Sequence, residues 1–302
     1  MLPFERIAII GLGLIGSSIA HAVRRSMPSV RLTGHDASAE VRATVRDLKL
    51  CANIADTPGA AVIDADLVIL CVPVGSMALV AQAIATDVPR DAIISDVGSS
   101  KAVVAASLTA ALPDHVVIPA HPVAGTERSG PEAGFAALFD QRWCILTPTP
   151  DTPDIAVARL TDFWKKLGSN VEIMDPAHHD LVLAITSHLP HLIAYTIVGT
   201  ASDLETVTRS EVIKYSAGGF RDFTRIAASD PVMWRDVFLS NKEAVLEMLQ
   251  RFSEDLTVLQ RAIRWDDGDA LHELFTRTRA IRRSIIAEGQ DDARPDFGRG
   301  DH

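Results

Sequence analysis

A doubly wound α/β sheet followed by an all-helical domain is the fold that three features of this 302-residue sequence predict. Short β-branched runs alternate with helix-length segments from Ile7 to about Asp175. A glycine-rich turn follows the first run directly. After Pro176 the strand-like patterning stops and helical apolar spacing takes over. Alternation of this kind gives parallel strands covered by helices on both faces, so the strands read as near-continuous apolar runs.

The strands expected in order are Ile7–Gly11, Arg31–His35, Leu67–Val72, Ile93–Asp96, Val116–Ala120, Cys144–Thr147 and Val171–Met174. Helices are expected over Val182–Ala201, Asp236–Arg261 and Ala270–Ala287. These spans divide the chain into residues 1–175, residues 176–289 and a polar tail, residues 290–302, carrying Pro295, Gly298 and Gly300, which reads as flexible. Long helices with broad apolar faces need a partner, so the helical region is expected to pair two copies of the chain.

Bulk composition narrows the function. A net charge of −10 with 23% charged residues disfavours a nucleic-acid or anionic-membrane surface and leaves room for a local basic pocket. Arg277, Arg279, Arg282 and Arg283 suit one solvated helix face. Cys51, Cys71 and Cys144 lie far apart with no metal-ligand spacing, which reads as packed, reduced thiols and no metal site. Leu181–Val198 is long and apolar enough to mimic a membrane span. Its Thr186, Ser187, His188, Pro190, His191 and Tyr195 would be costly in hydrocarbon, so a buried helix lining a site is the better reading. With the first strand expected from Ile7, no secretory leader is anticipated and a cytoplasmic protein is expected.

The run IAIIGLGLIGSSIA places Gly11, Gly13 and Gly16 between a strand and a helix, the context that a Rossmann-type dinucleotide fingerprint requires. Leu14 and Ile15 lie within that turn, Val72 ends a neighbouring strand, and helix N–H groups there face phosphates. Asp36, 20 residues after Gly16, either accepts hydrogen bonds from a ribose and favours NAD over NADP, or caps a helix starting near Ser38. The expected cofactor-binding set is Gly11, Gly13, Leu14, Ile15, Gly16, Asp36 and Val72, and the expected cofactor is NAD.

DVGSSK (Asp96 to Lys101) and HPVAG (His121 to Gly125) end expected strands, where open α/β sheets bind ligands. Oxidising an alcohol needs a base for the hydroxyl proton, and a neutral histidine serves near pH 7. His121 is the best-placed base, with a structural histidine before Pro122 as the competing reading. Ser99 either orients the reacting hydroxyl or imidazole, or caps the helix ahead of Ala102. In the helical half, Ser187 and His191 stand four apart in SHLPH despite Pro190. Arg221 and Arg225 stand four apart in GGFRDFTRIA, with Asp222 able to pair with one and leave the other for a carboxylate. His178 and His179 beside Asp180 read as surface or domain-border groups.

Taken in order, GLGLIG, DVGSSK, HPVAGTERSG, SHLPH and GGFRDFTRIAASDPVMWRD resemble the prephenate/arogenate (cyclohexadienyl) dehydrogenase family over about residues 5 to 285. The resemblance implies NAD(P)-dependent oxidative decarboxylation of a cyclohexadienol, prephenate or arogenate, by a homodimer joined through its helical domain, with Asp36 favouring NAD. It implies His121 as the proton acceptor with Ser99 beside it, Arg225 on a substrate carboxylate, and Ser187, His191 and Glu127 in the substrate pocket. It also sets Asp222 at the gate and Trp234 beside the arginine, and the adjacent Ser100 leaves open which serine acts. Two other readings stand beside it. One is a β-hydroxyacid-type dehydrogenase using Lys214 or Lys242, and the other is a nicotinamide-sensing protein without chemistry.

Overall fold

The computed structural model describes residues 2–126, 128–208, 214–215 and 217–287. They fall into two compact units, divided between Val245 and Leu246. The first unit is built on a six-stranded parallel sheet made of β1 (Arg6–Ile10), β2 (Arg31–His35), β3 (Asn53–Ile54), β4 (Leu67–Leu70), β5 (Ile93–Asp96) and β6 (Val116–Val117). The strand order is β3-β2-β1-β4-β5-β6, so the winding direction reverses between β1 and β4. Ligands bind at the carboxyl ends of strands flanking such a reversal.

Both faces of the sheet are covered, and the period-2 pattern shows how. On β1, Ile7 and Ile9 enter one apolar cluster while Ala8 and Ile10 enter the other. On β4, Leu67 and Ile69 divide from Val68 and Leu70 in the same way. The covering helices of this unit include α1 (Leu14–Ser26), α2 (Ala39–Asp47), α3 (Pro58–Val62), α4 (Met77–Ile84), α5 (Ala102–Ala111) and α6 (Asp154–Lys166).

The structure departs from a single sheet at Val116–Ala120. That run splits into β6 and β7 (Ala120–Pro122), and β7 pairs antiparallel with β8 (Trp143–Leu146), which pairs parallel with β9 (Asn170–Ile173). Pro119 stands at the split and has no N–H to continue the ladder with β5. Its carbonyl instead accepts from the N–H of Thr147 at 2.9 Å. His121 therefore sits on a second, three-stranded sheet, close to the end of β5.

The expected helix over Val182–Ala201 begins earlier and is interrupted. It runs as α7 (Pro176–Leu183), a π turn (Ala184–His188) and α8 (Leu189–Thr208). Asp175 caps α7 by accepting from the N–H groups of Ala177 and His178. The segment 176–203 is long and apolar enough to cross a membrane by length and composition, with mean hydropathy 1.6. Only part of it is buried: one face turns His179, Asp180, Leu183 and His188 inward, while Leu181, Ile185, Ile197 and Val198 remain exposed. The expectation of a buried helix thus holds for one face in a single chain. Next come α9 (Gly218–Thr224), a 3-10 turn (Arg225–Ala228) and α10 (Pro231–Ser240). The expected helix over Asp236–Arg261 breaks at Asn241, between α10 and α11 (Lys242–Arg264), which continues into the second unit. That unit also contains α12 (Gly268–Ala287). The expected tail, residues 290–302, lies outside the described residues.

Candidate active site

The glycine turn is shaped for a phosphate-bearing ligand. Gly11 adopts φ +95°, and a Cβ there would lie 2.3 Å from the carbonyl oxygen of Cys71. A Cβ on Gly16 would meet the Gly11 carbonyl oxygen at 2.0 Å, so that glycine permits α1 to pack onto the turn. Gly13 differs, since a Cβ there would meet nothing within 4 Å. The protein itself therefore gives no steric reason for glycine at 13, whereas a pyrophosphate lying against the backbone would. Gly13 is also the N-cap of α1, whose first turn has no side-chain cap and no acidic residue among the described residues. Its leading N–H groups, at Leu14 and Ile15, stay available for phosphate oxygens.

Asp36 closes this turn. One carboxylate oxygen accepts from the N–H of Leu12 at 2.8 Å and the other from the N–H of Ser38 at 2.9 Å. Ser38, not Asp36, caps α2, accepting from the N–H of Val41. Val72 leans on the same turn from the end of β4, where its side chain would lie 3.1 Å from a Cβ on Gly11. These residues fit a dinucleotide: an open phosphate cradle with a carboxylate at the end of the second strand.

Across the sheet edge, the DVGSSK loop has a structural core of its own. Lys101 is fully buried, and its Nζ donates to Asp96 at 2.5 Å and to the Ala120 carbonyl at 2.7 Å. Asp96 also accepts from the N–H groups of Gly98 and Ala120. Burial pushes the Asp96 carboxyl up and the Lys101 ammonium down, each against the pull of the other. The pair clamps Ala120 and so fixes the backbone entering His121.

His121 is 8% exposed. Its Nδ1 lies 2.9 Å from Nε2 of His179, whose Nδ1 lies 2.8 Å from Asp180. Its Nε2 has no protein partner among the described residues. Burial, with the neighbouring His179, Lys101 and His188, holds the His121 imidazole well below the usual histidine range. The ring is therefore neutral at pH 7 and able to take a proton.

Two expectations are corrected here. Of the two places expected for His179 and Asp180, surface or domain border, the surface is excluded, since they are 0% and 5% exposed and reach from α7 to His121, Lys101 and Ala102. They lie side by side about one turn into α7, on its inward face, which a reading of local polarity alone does not reveal. Ser99 does not cap α5: that duty falls to Asp180, which accepts from the N–H groups of Lys101 and Ala102 at 2.7 and 2.9 Å. Of the two adjacent serines, Ser100 is fully buried with its hydroxyl held by Ser240 at 2.8 Å, whereas Ser99 is only half-buried.

The helical residues assemble next to this group. His188, completely buried, contacts the Ser99 backbone and receives a hydrogen bond at Nδ1 from Asn241, whose amide also donates to the Asp180 carbonyl. His191 donates from Nδ1 to the Ser187 carbonyl across the π turn at 2.8 Å and stacks on Trp234 with ring centroids 3.7 Å apart. Trp234 supports this histidine ring, and Arg225 is near enough to press the His191 pKa down, after burial. Tyr195 anchors the segment following Arg225 by donating to the Ser229 carbonyl. The rings of His188 and His191 thus both pack against Trp234, with His121 close enough to feel the charge of His188 and His191 that of Arg225. Arg221 pairs with Asp222 at 3.7 Å on the exposed face. Glu127 lies outside the described residues. Lys214 lies over the Tyr215 ring and Lys242 is exposed, so neither takes the place of His121.

A phosphate cradle at the reversal point of a parallel sheet, in a chain that also holds a neutral buried imidazole just past the end of β5, defines a two-part nicotinamide-type dehydrogenase. Comparison with known proteins resolves the class further. A family model described as the prephenate dehydrogenase nucleotide-binding domain matches residues 19–173, and one described as the prephenate dehydrogenase dimerization domain matches residues 175–277. The chain belongs to the prephenate dehydrogenase family, a family of oxidoreductases. It is similar to the cyclohexadienyl dehydrogenase of Zymomonas mobilis, 46% identical over 295 residues, covering 98% of this chain and 100% of that one. It is 32% identical to the prephenate dehydrogenase of Bacillus subtilis, covering 93% of this chain and 76% of the relative. The crystal structure of prephenate dehydrogenase from A. aeolicus in complex with hydroxyphenyl propionate and NAD+ superposes with a TM-score of 0.88 at 33% identity, covering 93% of this chain and 98% of that one.

Proposed function

We propose that the protein catalyses the NAD-dependent oxidative decarboxylation of prephenate, arogenate or both, giving 4-hydroxyphenylpyruvate or tyrosine. The observation that carries this reading is the neutral, buried His121, held just past the end of β5 and hydrogen-bonded to His179 and through it to Asp180. Gly11, Gly13, Leu14, Ile15, Gly16 and Val72 hold the dinucleotide, and Asp36 receives the ribose hydroxyls and repels a 2′-phosphate. NAD, when bound there, supplies the acceptor for the hydride that leaves the hydroxyl-bearing ring carbon.

His121 removes the hydroxyl proton as that C–H bond breaks, so the carbon–oxygen bond becomes a carbonyl. Loss of the ring carboxylate as carbon dioxide then returns its bonding electrons to the ring, which becomes aromatic, and the resulting phenolate recovers a proton. The drive of aromatisation means the protein must chiefly position and neutralise charge. Arg225 grips a substrate carboxylate, His191 and Ser187 line the side-chain pocket, and Ser99 orients the reacting hydroxyl. Residues 1–175 serve the nucleotide and residues 176–289 serve the substrate and a homodimer contact. The family's nucleotide-binding and dimerization models meet between residues 173 and 175, which supports that division. A cytoplasmic location completes this reading.

Steady-state rates with prephenate and arogenate, each with NAD and NADP, test it. At least one of the two substrates should yield reduced cofactor, with NAD favoured in kcat/KM by about tenfold or more, a difference of about 1.4 kcal/mol. Turnover of a simple β-hydroxyacid with neither cyclohexadienol accepted would overturn the reading.

A further inference from the structure

We infer that His179 and Asp180 are positioning residues that fix the His121 tautomer, so that Nε2 of His121 presents a lone pair to the substrate hydroxyl. The inference rests on the reading of His121 as the base and adds how the rest of the buried polar chain makes it one.

Proton bookkeeping along the chain leaves a single arrangement. Asp180 accepts on one oxygen from the N–H of Lys101 and from His179, and on the other from the N–H of Ala102. Burial pulls its pKa up, but the bonds from His179 and the two amides outweigh it and hold the carboxyl below its usual range. An ionised carboxylate only accepts, so Nδ1 of His179 carries the proton. Burial, the largest influence on His179, keeps that ring neutral at pH 7, and its Nε2 is therefore a lone pair. The 2.9 Å contact between His179 Nε2 and His121 Nδ1 needs one proton, which His121 must supply. Neutral His121 then has its lone pair on Nε2.

The same chain supports His121 once it has taken the substrate proton. The imidazolium donates from Nδ1 to His179, His179 donates to Asp180, and the carboxylate opposes the new positive charge in buried surroundings. Removing the acceptor at 179 would release His121 to the Nε2–H form that a free imidazole favours, which has no lone pair where the proton must arrive. The elements holding the relay are independent of the substrate: Asp180 is fastened by the first turn of α5, and its carbonyl by Asn241.

The test compares wild type with His179→Phe, which fills the buried slot but neither donates nor accepts, and His179→Gln, whose side-chain oxygen can accept from His121. For His179→Phe, kcat should fall about 10²- to 10⁴-fold, the span of general-base catalysis. KM for prephenate and Kd for NAD should stay within about twofold, the pattern of a group acting only in the transition state. His179→Gln should regain about tenfold or more over His179→Phe. Nitrogen-15 spectra of histidine-labelled protein should show His121 protonated at Nδ1 in wild type and at Nε2 in His179→Phe. A kcat within about threefold of wild type in His179→Phe would overturn the inference. So would a rise in KM and Kd matching the loss in kcat, which marks a merely structural role. Should His179→Phe fail to fold, the wild-type spectrum decides, and His121 protonated at Nε2 there defeats the relay. A wild-type protein that oxidises neither cyclohexadienol defeats the functional reading instead, while the spectrum still judges the relay.

Discussion

At the scale of single residues, the site works by keeping imidazoles neutral. His121, His179, His188 and His191 all have pKa values lowered chiefly by burial, His188 to about 4. A base with a depressed folded pKa keeps its lone pair as the solution acidifies. The kcat/KM profile should therefore stay flat as pH falls through 6.5, with its acid limb displaced below that value. A limb centred at or above 6.5 would mean that the ring is not buried as described. The sign for stability follows from the same shifts. Each of these rings binds its proton more readily when unfolded, so stability is fully present above about 6.5 and is lost as pH falls toward the folded values. For His188 the loss is about 1.4 kcal/mol per pH unit between 6.5 and about 4, readable as a falling Tm. Residue types announced some of this in the sequence: a histidine at a strand end and an arginine just past a glycine-rich helix start are candidates for chemistry. The burial of His179 and Asp180 is not legible in the sequence, because adjacent polar residues look solvated until the helix phase is known. The signal that could have found them is the spacing to Leu183 and Ala184, which share their inward face.

Elements were legible where periodicity is long and opaque where one residue decides. β1 and β4 carry nearly uninterrupted apolar runs, β2 and β5 follow at the expected rhythm, and the positions of all four follow from the sequence to within a residue or two. β3 has two residues, too few for any pattern. Pro119 sends the chain from one sheet to another, a tertiary choice that a strand-like run conceals. Asn241 ends α10 because its side chain is recruited to Asp180 and His188, whereas Asp230 and Pro231 announce the start of that helix openly. The glycine turn is the element with the sharpest consequence. Gly13→Ala should leave the fold intact, with Tm within about 2 °C, since no protein atom opposes the added methyl. Its NAD affinity should drop by about tenfold or more because the methyl occupies the phosphate approach. Calorimetric titration with NAD reads this, and unchanged affinity would remove the dinucleotide from this turn.

At the scale of the whole molecule, large apolar side chains lie exposed on helices of both units. Leu181, Ile185, Ile197 and Val198 lie exposed on the segment 176–203. Phe275 and Ile281 are exposed on α12 of the second unit. Together with the dimerization-domain match over residues 175–277, this favours a homodimer. Light scattering should give twice the 32.5 kDa chain mass at micromolar concentration, and a monomer there would leave these faces unexplained. The length of the apolar helices was readable from the sequence, but which of their faces turn inward was not, because that depends on the site they surround.

The most direct experiment replaces His121 with Asn, which retains a hydrogen-bonding side chain without a titratable base. With prephenate and NAD, wild type should release one carbon dioxide for each NADH formed. His121→Asn should lose about 10²- to 10⁴-fold in kcat while binding NAD as wild type does. Undiminished turnover in His121→Asn would place the proton acceptor elsewhere and dismantle the site as assigned.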